Sequence, residues 1–333
     1  MDMCALSDET LLAGFAAGDS AAAAAFVRRF QRRVYGLVVT ILDDTGAAED
    51  VAQETFVRAW RHAAAYDSRR GLVSTWLLTI ARNLALDRAA GDCILFLDSD
   101  DFLDPDCVEK LCALIQAHDA DIAACGFRFV DAECRAVRPR GRQKGGVRID
   151  SGVDAARMVL YQKELDAMPW AKLYRASVWR NVRFAEDRLY EDLATTYLAF
   201  LNAKKAVYDA MPRMTCCLRE NSDLRMAFCA RKMMMLTTAT EIVAYAEKIC
   251  PALLRAARCR AVAAGFFLYL QMEREHDPAE KERCLKVIRK YRKDVMFDRS
   301  ARRKTRIAAL LSFIGMGAVR MIYHYKKKQD PLF

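Results

Sequence analysis

At 333 residues with 53% hydrophobic side chains, the chain has room for two domains with cores of their own, which excludes a disordered polypeptide. Its net charge of +10 is uneven: from Glu280 to the end stand 16 Lys and Arg against 5 Asp and Glu, whereas the first 90 residues hold 10 Arg, no Lys and 11 acids. Eleven of the 12 cysteines follow residue 90 without CxxC pairs, and "MDMCALSDET" has no basic-then-apolar leader, so the reading is a cytoplasmic chain with reduced thiols and no disulfide scaffold.

Residues 8 to 90 contain no Pro and repeat apolar residues at spacings of three and four, which predicts a bundle of helices. Ser7 is placed as the first N-cap, with Thr10 rather than Glu at the capping-box position. Gly18-Asp19-Ser20 breaks that stretch into two helices. "GAAEDVAQETFVRAWRHAAAYD" predicts a third, with Val51, Thr55 and Trp60 inward and Glu49, Asp50, Gln53 and Glu54 outward. After the Arg69-Arg70-Gly71 turn, "STWLLTIARNLALDRAA" predicts the last, with Trp76, Leu77, Ile80 and Leu84 on its apolar face. Taken as an isolated helix, Asp50 and Glu54 read instead as a solvated face, with Arg58 an ordinary i, i+4 partner of Glu54.

"AEDVAQETFVRAWR" followed by "STWLLTIARNLALDRA" resembles region two of the extracytoplasmic-function sigma factors of bacterial RNA polymerase, within the sigma-70 family. The resemblance implies that Asp50, Gln53 and Glu54 dock on a basic coiled coil of the polymerase core. It also implies that Arg82, Asn83, Asp87 and Arg88 approach promoter −10 DNA in transcription initiation. Arg suits phosphate, while Asn and Asp can read base edges. The helix-turn-helix of region four, which reads the −35 element, has no counterpart downstream in the sequence.

From "GDCILFLDSDDFLDPDCVEKLCALIQAHDADIAACGFRFVD" onward the pattern changes. Cys93 to Leu97 is a short continuous apolar run, as expected of a buried strand, and it stops at Asp98-Ser99-Asp100-Asp101. Pro105 opens a predicted helix to about Ala117, and "DIAACGFRFVD" is a further strand, so this part predicts an α/β layer. Asp98 and Asp100 alternate by two and can face one side of an extended chain, giving a divalent cation such as Mg²⁺ or Mn²⁺ two hard oxygen donors. A turn is the alternative reading of "DSD" by itself.

With "MPWAKLYRASVWRNVRFAEDRLYEDLATTYLAFLNAKKAVYDA" and "CCLRENSDLR" following in order, the chain from about residue 81 is similar to the family-2 glycosyltransferases of GT-A fold that build bacterial cell-surface polysaccharide. The resemblance implies a DxD motif at Asp98 and Asp100 that holds metal and a nucleotide-sugar diphosphate, with Asp101 beside it. It implies a catalytic base at Asp192 with Glu191 adjacent, an acceptor side at Trp170 and Lys172, and a diphosphate contact at Arg219. The substrates implied are a nucleotide-sugar donor and a glycan or lipid-linked acceptor. Glu191 and Asp192 also read as acids suited to a helix N-terminus before "LATTYLAFL".

The strand, helix and strand that open that family's chain and bind base and ribose are missing, and the helices of residues 8 to 90 stand in their place. Residues Ala81 to Ala90 satisfy both family patterns, so the sequence reads as a chimera joined near Ala81-Arg82-Asn83. The expected fold is mixed: an all-α bundle over residues 1–90, a truncated α/β GT-A-like domain over 91–225, and a helical region over 226–333. Sugar transfer is expected to be impaired by the missing half. The Met run Met233-Met234-Met235 reads as core filler. "DRSARRKTRIAALLSFIGMGAVRMIYHYKKK" has too short an apolar run to span a bilayer and predicts an amphipathic helix lying on the inner face of the membrane, with a nucleic-acid patch as the competing reading.

Overall fold

A computed structural model describes residues 6–98, 101–131, 136–140, 146–186, 188–218, 227–273 and 277–329. The chain divides into two compact units: residues 1–152 with 168–222, and residues 153–167 with 223–333.

The first unit begins with four helices, α1 (Asp8–Ala16), α2 (Ser20–Leu42), α3 (Thr45–His62) and α4 (Val73–Arg88). Their ends follow local chemistry. Ser7 caps α1 by accepting the Thr10 N–H at 3.2 Å, Gly18 takes a left-handed φ of 80°, and the Asp19 carboxylate accepts the N–H groups of Ala21 and Ala22 at the start of α2. Leu11, Phe26, Phe30, Val34, Val51, Leu77 and Ile80 fill one core between these helices. Trp60 departs from expectation: it is 52% exposed. The buried stripe of α3 is Ala48, Val51, Thr55 and Ala59, whose small side chains let the helices approach, and Trp60 lies one residue beyond it.

None of residues 6–92 is in a strand. A mixed sheet begins with β1 (Cys93–Leu95) and continues through β2 (Phe102–Leu103), β3 (Ile122–Val130), β4 (Ala136–Arg140), β5 (Val147–Ser151), β6 (Lys172–Arg175) and β7 (Lys205–Cys217). The order is β1-β6-β3-β7-β2, with β4 beside β3 and β5 beside β7. β3 and β7 are parallel; β6 runs antiparallel between β1 and β3, so β1, β3 and β7 share a direction. Two helices belong to this part: α5 (Cys107–His118), starting two residues after Pro105, and α7 (Glu191–Asn202). Between them in sequence comes α6 (Gly152–Tyr161), which starts the second unit.

The two faces of the sheet have distinct cores. One packs Leu111 and Ile115 of α5 against Phe127, Leu173, Val207 and Met214. The other is aromatic: Phe96, Tyr174, Trp179 and Phe184 meet with ring centroids 5.1 to 5.9 Å apart, and Phe200 of α7 lies 6.4 Å from Tyr174. Aromatic pairs in such tilted and stacked arrangements add attraction beyond the area they bury.

The second unit continues with α8 (Met234–Lys248), α9 (Leu254–Gln271), α10 (Pro278–Phe297), α11 (Arg303–Leu311) and α12 (Met316–Gln329). Met233 and Met235 are buried, as gap-fillers would be. The single tail helix expected from the sequence is broken in two at Ser312–Gly315, where Gly315 takes φ 150°. The ten described cysteines are all free. No helix among the described residues is long and apolar enough to cross a membrane.

Candidate functional site

The site grows from the end of β1. Asp98 follows the strand by three residues, and the Asp101 N–H donates to the Asp98 carbonyl at 3.0 Å. The Asp101 carboxylate accepts the N–H of Cys217, the last residue of β7, at 3.1 Å. Asp98, beyond the end of β1, and Asp101, bonded to the end of β7, therefore lie at the C-terminal edge of the sheet, where open α/β sheets bind ligands. Asp100 lies outside the described residues, as does Arg219. Among the described residues no three His, Cys, Asp or Glu side chains form a metal-holding group.

Across from this loop starts α7. Tyr190 precedes it with φ 65°, a left-handed conformation that a bulky residue rarely adopts, and so turns the chain to set Glu191 and Asp192 at the helix N-terminus. The Asp192 carboxylate accepts the N–H of Leu193 at 2.6 Å. The Glu191 side chain is 15% exposed and lies 3.3 Å from Arg82 of α4. Burial pushes its carboxyl above the usual carboxylate range; Arg82 acts against this, and the charge of Asp98 adds to it. The structure thus pairs Glu191 with Arg82, with Asp98 near enough for its charge to act on the Glu191 carboxyl.

Helix α4 is clamped to the segment before α7. The side-chain carbonyl of Asn83 accepts the Phe184 N–H at 2.8 Å, and its amide donates to the Phe184 carbonyl and the Glu186 carboxylate, both at 2.9 Å. Arg183 donates to Asp87 at 2.6 and 2.9 Å. The Leu189 N–H donates to the Arg70 carbonyl at 2.6 Å. The Arg82 guanidinium lies 4.7 Å above the Phe184 ring, and its buried Nε has no hydrogen-bond partner among the described residues. Of the four residues expected to face DNA, Arg82 and Asn83 are buried in this clamp, Asp87 is exposed but paired, and Arg88 is exposed.

The remaining expected residues lie elsewhere. Trp170 is buried edge-on against Phe127, 4.6 Å between centroids. Lys172 is buried at the start of β6 and donates to the carbonyls of Met168 at 2.7 Å and Trp170 at 3.2 Å. Asp50 and Gln53 stand exposed on α3, and Glu54 lies 3.4 Å from Arg58. Sequence reading missed Arg183, Phe184 and Glu186. Their bonds to α4 span about a hundred residues, so no local spacing announces them.

Two family models match the chain: Sigma-70 region 2 over residues 26–91 and Glycosyl transferase family 2 over residues 72–183. They overlap at residues 72–91, which is α4 and its flanks. Residues of the N-terminal part are 44% identical over 80 residues to the ECF RNA polymerase sigma factor SigK of Mycobacterium bovis, covering 24% of this chain and 43% of that protein. The SigK of Mycolicibacterium vanbaalenii is 39% identical over 84 residues, 25% of this chain and 43% of its own. The chain therefore spans less than half the length of these curated relatives. Among solved structures, S. aureus TarS 1-349 in complex with UDP-GlcNAc is similar at TM-score 0.48 and 20% identity, over 75% of this chain and 72% of that one. That likeness is too low to bear on substrate or reaction.

Proposed function

We propose, for a chain that joins a sigma-70 region 2 segment to a family 2 glycosyl transferase segment, that its chemistry descends from sugar transfer and centres on the edge of the sheet between β1 and α7. The observation that supports this reading is the buried Glu191–Arg82 pair at the start of α7, whose carboxyl also feels the charge of Asp98. In the reaction proposed, an acceptor hydroxyl oxygen attacks the anomeric carbon, the bond from that carbon to the donor diphosphate breaks, and the hydroxyl proton passes to Asp192 or Glu191. A carboxyl whose affinity for a proton is raised by burial is the better proton acceptor. The unpartnered buried Nε of Arg82 is a donor suited to a diphosphate oxygen.

The donor set fits a hard divalent cation. Asp98 and Asp100 would hold it, with Asp101 beside them, leaving further positions to water and diphosphate. Bound there, Mg²⁺ or Mn²⁺ would neutralise the departing diphosphate. Trp170, Lys172 and Arg219 are assigned to substrate by resemblance only.

We further propose that turnover is weak because the donor-binding half is truncated. β1, the strand leading into Asp98, pairs with β6 alone among the described residues, and helices precede it where further strands would hold base and ribose. Donor hydrolysis with uridine-diphosphate sugars and Mn²⁺ tests both statements. Slow hydrolysis abolished by Asp98→Ala is expected; fast turnover would refute the truncation, and hydrolysis indifferent to Asp98→Ala would refute the site.

A second reading is favoured by the acidic, exposed face of α3: docking of Asp50, Gln53 and Glu54 on RNA polymerase core. Promoter contact by Arg82, Asn83 and Asp87 would require α4 to release residues 183–191, so core binding without −10 DNA binding is the form proposed. Co-purification with polymerase, lost in Asp50→Arg with Glu54→Arg, is the expected result, and no association at low salt would sink it.

A further inference from the structure

From Arg299 to Lys328 the chain carries nine Lys and Arg and no Asp or Glu. Helix α11 divides this charge in a specific way. Its inner face is Thr305 and Ala309, continued by Ser312, all buried. Arg292 of α10 fixes that end: it donates to the Ser312 carbonyl at 2.7 Å, and its guanidinium lies 3.8 Å over the Phe313 ring. The opposite face is apolar and open to solvent: Ile307 is 47% exposed and Leu310 55%, and Ile314, in the turn just past the helix, is 80% exposed.

At 3.6 residues per turn Arg303, Ile307 and Leu310 fall on one stripe, with Lys304 on one flank and Arg306 on the other. Arg306 also donates to the Met296 carbonyl at 3.3 Å, which ties that flank to the end of α10. A nucleic acid would find an apolar midline where it needs donors. A protein groove would need an apolar floor shaped to this one stripe and acidic walls on both sides of it. An anionic bilayer satisfies both halves of the pattern, because its acyl region takes the isoleucines and leucine while its headgroups take the flanking cations.

We infer that α11 lies in the plane of an anionic lipid surface, inserting Ile307, Leu310 and Ile314 with Arg303 and Lys304 at headgroup level. The inference does not depend on sugar transfer. A membrane-held transferase would meet lipid-linked acceptors there, but the surface would act the same way in a chain that transfers nothing.

The test is flotation of the full-length chain with vesicles of phosphatidylglycerol and phosphatidylcholine, beside vesicles of phosphatidylcholine alone, without nucleotide sugar. Binding to the anionic vesicles is expected, with weak binding to the neutral ones. Ile307→Ser with Leu310→Ser should lower binding at least about tenfold, as burial of apolar area predicts, while circular dichroism and the melting temperature stay unchanged. Arg303→Ser with Lys304→Ser should lower it too and flatten its dependence on salt. Absence of binding to anionic vesicles overturns the inference. So does binding that the apolar double variant leaves intact, or retention of duplex DNA in place of vesicles.

Discussion

Asn83 is 4% exposed and occupies both hydrogen-bonding groups of the Phe184 main chain. Asn83→Ala leaves that N–H and carbonyl buried without partners, so it should cost about 2–4 kcal/mol in urea denaturation. Exposed Arg88→Ala on the same helix should change stability by less than about 0.5 kcal/mol. Arg82 is the strongest influence holding the Glu191 carboxyl down, so Arg82→Met should raise the Glu191 titration further, read by carbon NMR of the labelled carboxyl. The folded chain already holds this proton more tightly than the unfolded chain does. The stabilisation from Glu191 is therefore present below its ordinary range and lost as pH rises through the raised value. In a pH series of melts, the wild type should lose stability relative to Glu191→Gln as pH increases through that window; parallel curves would contradict it.

At the scale of elements, the start of α6 depends on one absent side chain. A Cβ on Gly152 would come within 1.9 Å of the Ala203 carbonyl oxygen and 2.4 Å of that of Phe200, backbone atoms just after and within α7. Gly152→Ala should therefore destabilise by about 3 kcal/mol or more, since the strand-to-helix turn must move. Gly36, inside α2, has open space around its Cβ position, and Gly36→Ala should stabilise by about 0.5–1 kcal/mol. Thermal melts of the two variants separate a helix glycine kept by packing from one that is not. α4 makes the same point about faces: its apolar residues Leu77 and Ile80 complete the helical core, while Arg82, Asn83 and Asp87 seize residues 183–191. Both sides of one helix are therefore committed within the first unit.

At the scale of the molecule, the helices of residues 8–88 and the sheet belong to one compact unit, although one family model matches residues 26–91 and another residues 72–183. Arg82 lies on the Phe184 ring, which is part of the aromatic core beneath β1, so removing the helices would expose that core. A chain of residues 91–333, which keeps the second unit whole, should bind a hydrophobic dye and lose the cooperative melting of the sheet, while the full chain melts cooperatively. A sharp melt of the shorter chain would mean that the sheet is independent of α4. The whole-chain fold was legible at this level only in part. Helix limits, caps and the change of grammar near residue 90 could be read directly, but the boundary expected there is not a boundary between compact units.

What the sequence determined by itself was local: periodicity chose helix or strand, Ser7, Gly18 and Asp19 set helix ends, and two ordered motif sets showed likeness to two families, whose models overlap at residues 72–91. What the tertiary structure decided was partnership. Periodicity says which face of a helix is apolar, yet it does not say what covers the polar one. The partners of Asn83 and Arg82 are about a hundred residues away, where only folding brings them within 3 to 4 Å. Trp60 makes the converse case: hydropathy favours burying it, but the buried stripe of α3 runs through Ala48, Val51, Thr55 and Ala59, and Trp60 lies one residue beyond it.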